Sequence, residues 1–106
     1  MLVYVAGPYS KGDMAVNVHN AIQVANKILE LGHIPYIPHI THFWHLITPK
    51  PYQTWLEIDR SILIRCDCVF RMSGDSQGAD GEVILAGQLG LPIYHSLEDL
   101  PNVLGT

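Results

Sequence analysis

The sequence predicts an α/β fold: a parallel sheet of about four short strands with helices on both faces. Three observations carry this. Short apolar runs rich in β-formers alternate with longer segments of helical spacing. The runs are continuously apolar, as in strands buried on both faces. Glycine and proline punctuate the junctions.

Leu2 to Ala6 is the first strand, ended by Gly7-Pro8. "SKGD" turns the chain, and Asp13 is placed to cap a helix. From Met14 to Leu31, the residues Val18, Ala21, Ile22, Ala25, Ile28 and Leu29 recur at helical spacing, and Gly32 is a stop. "HIPYIP" (33–38) is a second strand, whose prolines place it at an edge. "HITHFWHLITPKPY" (39–52) reads as a long aromatic loop, and loops of that length in small domains are commonly functional. "QTWLEIDRSILIRC" (53–66) is a second helix with Trp55, Ile58, Ile62 and Leu63 on one face. "DCVFRM" (67–72) is a third strand and "SGDSQGAD" (73–80) a glycine-rich loop. Glu82 to Leu89 is a third helix, stopped by Gly90. "LPIYHS" (91–96) is a fourth strand, and "LEDLPNVL" (97–104) a short final helix or turn.

The length of 106 residues suits one domain over 1–106. With 48% apolar and 15% charged residues the chain is globular in composition. A net charge of −4 without a basic stripe excludes a nucleic-acid polymer as partner, but not a single nucleotide. Cys66 and Cys68 are too close to staple the fold and read as small buried side chains facing the same side of a strand. The start of the chain has no secretory pattern, and no run approaches the roughly 20 apolar residues of a membrane helix. The reading is a cytoplasmic protein with no membrane partner.

In parallel sheets, ligands bind beyond the carboxyl ends of the strands where the strand order reverses. The loops Gly7–Asp13, 39–45 and 73–82 should meet there. Glu82 follows Gly81 near the predicted helix start, where the helix dipole and free amides favour an ionised carboxylate. Such a group serves as a nucleophile or stabilises a cation; the plain alternative is an ordinary first-turn glutamate. Gly74, Gly78 and Gly81 would let backbone approach a ligand. Asp59 is a second carboxylate beside Ile58 and Ile62, and paired carboxylates suit glycosidic cleavage; the plain alternative is a solvated aspartate. In the loop after the first strand, Gly7 and Pro8 lead to Tyr9 as a stacking face and to Ser10 and Lys11 as anion donors. That loop lacks both the phosphate-loop and the dinucleotide spacing. His39, His42 and His45 have no evident fourth ligand, so they are read, with Phe43 and Trp44, as lining a pocket or interface and not as a metal site.

Several motifs together resemble the nucleoside 2-deoxyribosyltransferase superfamily, which includes nucleotide N-glycosidases. They are "YVAGPYS" (4–10), "DRSILIRCDCVF" (59–70), and Ser76-x-Gly78-x-x-x-Glu82 followed by Ala86 and Gly90-x-Pro92. They cover most of the chain in order, and the likeness is strongest to small bacterial and phage members of undefined activity. The resemblance implies a flavodoxin-like (Rossmann-like) three-layer sandwich and cleavage or transfer at a base–sugar bond, without a cofactor or metal. It implies that Glu82 attacks the anomeric carbon, that Asp59 contacts the base and assists its departure, and that Tyr4 orients Glu82. Tyr9 would lie beside the base, with Gly7, Pro8, Ser10, His39, Ser76 and Gly78 completing the substrate site. Serine six residues before the glutamate is the glycosidase pattern, whereas nucleoside transferases carry an acid there. Ser76 therefore tilts the implied substrate from nucleoside toward nucleoside 5′-monophosphate. The small-molecule partner would be accompanied by a homo-oligomeric assembly. The alternatives are a non-catalytic nucleotide-binding module and an oligomeric structural protein on the same fold.

Overall fold

The structure, a computed structural model, describes residues 1–103. Strand β1 (Leu2–Ala6) sends alternate side chains to opposite faces. Val3 and Val5 enter one apolar cluster with Ala21, Ala25 and Ile28. Tyr4 and Ala6 enter the other with Leu63, Ala79 and Ala86. All four strand residues are fully buried. A strand covered on both faces belongs in the middle of a sheet.

The sheet has four parallel strands in the order β2-β1-β3-β4, with β2 at Ile34–Tyr36, β3 at Cys68–Arg71 and β4 at Ile93–Tyr94. Val3 lies opposite Cys68 and Tyr4 opposite Val69. This is the flavodoxin-like order, and it reverses direction between β1 and β3. The predicted fold class is therefore the observed one. Pro35 sits in the edge strand β2, as its missing amide requires. Cys66 and Cys68 are both buried, but they do not share a face. Cys66 lies before β3 and joins the Tyr4 cluster, whereas Cys68 joins the Val3 cluster.

Helix α1 (Met14–Glu30) is capped by Asp13, whose carboxylate accepts from the amides of Ala15 and Val16 at 2.9 and 3.2 Å. It buries Val18, Ala21, Ala25 and Ile28. The predicted partners Ile22 and Leu29 are about half exposed, because the buried stripe of a one-sided helix is narrow. Gly32 follows with φ 94°, the left-handed stop expected from sequence.

The 39–52 segment is not a loop throughout. Pro38 opens a 3₁₀ turn (Pro38–Thr41), and α2 (His42–Ile47) continues from it, since no glycine or proline interrupts residues 39–48. Helix α3 (Tyr52–Leu63) starts one residue earlier and ends three residues earlier than predicted. Helix α4 spans Gln77–Gln88. Its start corrects the reading that placed it at Glu82. The Ser76 hydroxyl accepts from the Ala79 amide at 3.1 Å, and this cap outweighs the helix-breaking tendency of Gly78 and Gly81. A 3₁₀ turn (Leu97–Asp99) ends the described fold, and Leu104 of the predicted final element lies outside the described residues. Among the described residues no helix is long and apolar enough to cross a membrane.

Candidate active site

A cleft of about 480 Å³ opens beyond the carboxyl ends of β1, β2 and β3. The β1–α1 loop contributes Gly7, Tyr9, Ser10 and Lys11, and the turn after β2 contributes Pro38, His39 and Thr41. The start of α4 and its preceding loop contribute Asp75, Ser76, Gly78 and Glu82, and α3 contributes Tyr52, Leu56 and Asp59. The three loops expected at the switch point thus converge.

Glu82 is the sixth residue of α4. It lies too far along for the dipole argument made from sequence, because that field falls off within the first turn. Burial dominates instead and pushes the Glu82 carboxyl up to about 7. The Tyr4 hydroxyl donates to its Oε2 and acts in the opposite direction, favouring the ionised form. The charge of Asp59 opposes ionisation again, and those of Arg71 and Arg60 favour it. Burial likewise pushes Asp59 up to about 6. Asp59 is partly buried, and its Oδ1 is buried without a hydrogen-bond partner. Tyr4 is itself fully buried, and its phenol pKa is raised by burial and then by the charges of Glu82 and Asp59. It reaches the cleft only through Glu82. The proximity of two carboxylates in a poorly solvated place means that they resist ionising together near neutral pH.

The other predicted site residues divide. Gly7, Tyr9, Ser10, His39, Ser76 and Gly78 line the cleft. Pro8 does not. Its ring lies where a Cβ on Gly74 would be, 2.7 Å from Pro8 Cγ, and its carbonyl accepts from His39 Nε2 at 2.9 Å. Gly74 (φ 112°) therefore serves this loop-to-loop contact and not a ligand. Gly81 is outside the cleft, and a Cβ there would meet nothing within 4 Å. Lys11 pairs with Asp75 across the mouth of the cleft, so it is not a free anion donor. The three histidines of the H-x-x-H-x-x-H spacing take separate partners: Pro8 for His39, Tyr9 for His42, and Trp55 for His45. Among the described residues no group of three or more His, Cys, Asp or Glu is placed to hold a metal ion.

Thr41, Tyr52, Leu56 and Asp75 were missed from sequence. For two of them a signal existed. Tyr52, Leu56 and Asp59 are spaced i, i+4, i+7, which puts all three on one helical face. Ser76 lines the cleft and uses one lone pair of its hydroxyl to accept from the Ala79 amide, so its hydroxyl proton can still be donated.

Comparison with curated proteins yields no match. Among solved structures, the fold matches a 2-deoxyribosyltransferase from the psychrotolerant bacterium Bacillus psychrosaccharolyticus with a TM-score of 0.64. The match covers 88% of this chain and 69% of that one at 20% identity, a likeness of fold. The family model described as Domain of unknown function (DUF7768) matches residues 1–96, and the chain belongs to that family.

Proposed function

We propose that the protein cleaves or transfers at the N-glycosidic bond of a nucleoside or nucleoside 5′-monophosphate. One observation carries the reading: two carboxyls of raised pKa, Glu82 and Asp59, line the same cleft, and a buried tyrosine hydroxyl is bonded to the first. The fold shared with a 2-deoxyribosyltransferase supports it.

In this mechanism the reactive form is the one in which the single proton held by the two carboxyls sits on Asp59, so Glu82 is ionised and its oxygen attacks the anomeric carbon. The carbon–nitrogen bond breaks, and its electron pair leaves with the base through an oxocarbenium-like transition state. Asp59 gives the departing nitrogen its proton. Water, or the nitrogen of a second base, then displaces Glu82 and returns a proton to Asp59. Tyr4 holds Glu82 in line and stabilises its negative charge, while Tyr9 offers a face to the base. Ser76 and Ser10 donate to a 5′-phosphate or 5′-hydroxyl.

The test is release of free base from a panel of nucleosides and nucleoside 5′-monophosphates, followed by chromatography, with Glu82→Gln as control. Glu82-dependent release is expected. Release that survives in Glu82→Gln would overturn the mechanism. Ligands that raise the melting temperature without base release would move the reading to a binding module.

The exposed Phe43, Trp44, Leu46 and Ile47 on α2 support a homo-oligomer, since contiguous apolar surface favours association. Light scattering that gives a monomer mass across concentrations would exclude it.

A further inference from the structure

Helix α2 buries no residue. Its hold on the body comes from rings and hydrogen bonds. The Tyr9 hydroxyl lies 2.7 Å from His42 Nδ1. About one turn on, His45 Nδ1 lies 2.8 Å from the indole Nε1 of Trp55 on α3, and 3.2 Å from the Lys50 backbone amide. Trp55 also packs edge-on against Trp44 and His45, at centroid distances of 5.2 and 5.7 Å.

The two histidines differ in what they tolerate. An indole N–H and a backbone amide can only donate. His45 Nδ1 therefore accepts, and carries no proton. A proton added there turns the acceptor into a donor and forfeits both bonds at once. A tyrosine hydroxyl can donate or accept, so His42 keeps Tyr9 in either charge state. The groups facing His45 are Trp55 from α3 and the Lys50 amide from the following connection, with His42 and Trp44 on its own helix. Among the described residues no carboxylate pairs with His45 to offset a new charge.

Along the chain this pin joins two stretches that line the cleft. Pro38, His39 and Thr41 line one wall immediately before α2, and Tyr52, Leu56 and Asp59 line another after it. The bond from Trp55 to His45 ties these walls together midway along the connecting segment.

We propose that His45 and Trp55 form a proton-operated latch on the cleft. Neutral His45 holds α2 against α3 and fixes the spacing of the walls; protonated His45 releases α2 and widens the cleft. His45 is then a positioning residue, and the latch operates whichever substrate the cleft takes.

Trp44 and Trp55 are the only tryptophans, so intrinsic fluorescence reports this cluster alone. The experiment titrates emission from about pH 8 to about pH 5 at two protein concentrations, across the range where histidines change charge. We expect a reversible transition independent of concentration, which separates it from subunit dissociation. It should vanish in His45→Asn, whose amide oxygen supplies an acceptor that does not titrate, and persist in His42→Asn. Exchange of the Lys50 amide, corrected for its chemical rate, should accelerate at the acid end by about tenfold, the equivalent of one lost hydrogen bond. Trp55→Phe, which keeps Trp44 as reporter, should show that faster exchange already at the alkaline end. An unchanged transition in His45→Asn, or equal Lys50 protection at both ends of the wild-type titration, would overturn the latch. Both readouts are independent of catalysis, so failure of the glycosidic reading leaves them interpretable.

Discussion

The Tyr4 hydroxyl, on the central strand, donates a hydrogen bond to Glu82 on the helix packed above it. The two residues are 78 positions apart in sequence. A bond to an ionised acceptor contributes about 1.5–3 kcal/mol. Tyr4→Phe should therefore lower kcat by roughly 10- to 100-fold, with a smaller change in KM. The bond also lowers the Glu82 pKa, so its removal raises that pKa. The limb of the pH–rate profile that reports ionised Glu82 should move to higher pH in Tyr4→Phe. An unshifted profile with an unchanged rate would mean that the bond plays no part in turnover.

Burial of Glu82 also sets a dependence of stability on pH. Its carboxyl rises from an ordinary 4.5 to about 7 on folding. Between those values the folded chain holds a proton that the unfolded chain has released. Stability therefore falls as pH rises through that window, and the penalty persists above it. Glu82→Gln removes the titrating group and should stabilise the protein by about 1–3 kcal/mol near pH 8, with no gain near pH 4. Denaturant melts at the two pH values check this. An inactive variant that is more stable than wild type is the pattern of a site residue held at a stability cost.

Asp59 has its own signature. Its proton, retained up to about pH 6 by burial, is the one the leaving base needs. Asp59→Asn should slow release of ordinary bases by about 10²–10⁴-fold, the usual contribution of a general acid. The loss should be much smaller for a base that departs as a stable anion. Equal losses for both kinds of leaving group would assign Asp59 to binding instead.

How far these features can be read from sequence differs by element. The strands and α1 are legible because continuous apolar runs and a three-to-four spacing map directly onto buried faces such as Val3–Ala6 and Val18–Ile28. Helix α2 is not legible, because it buries nothing and so carries no apolar stripe, and it is held instead by His42 and His45. The start of α4 was obscured by Gly78 and Gly81, although Ser76 three residues before Ala79 is a capping arrangement. Glu82 and Asp59 were visible as candidates, but not their raised pKa values. Those come from burial, to which the charge of Asp59 adds at Glu82, and only the tertiary fold supplies either.

Ser76 separates stability from substrate choice. Its hydroxyl caps α4, so Ser76→Ala should cost about 1 kcal/mol in a denaturant melt. Ser76→Asp keeps a capping oxygen but adds a negative charge beside Asp75 at the cleft. If the substrate carries a 5′-phosphate, Ser76→Asp should raise KM for nucleoside monophosphates by at least about tenfold and spare free nucleosides. Equal effects on both substrate classes would remove Ser76 from phosphate recognition.

Gly74 and Gly81 should respond to alanine with opposite signs. Gly74 has a φ of 112°, and a Cβ there would lie 2.7 Å from Pro8 Cγ. Neither the backbone nor the proline ring can yield cheaply, so Gly74→Ala should destabilise by roughly 2–3 kcal/mol. For a chain of this size that lowers Tm by about 10–20 °C. Gly81 lies within α4, its φ is not positive, and a Cβ meets nothing within 4 Å. Gly81→Ala should stabilise by about 0.5–1 kcal/mol through helix propensity and a less free unfolded chain. Because Gly81 lies outside the cleft, that variant should keep its base-release activity. A loss of activity in a more stable Gly81→Ala would show that the helix must flex at this residue during turnover.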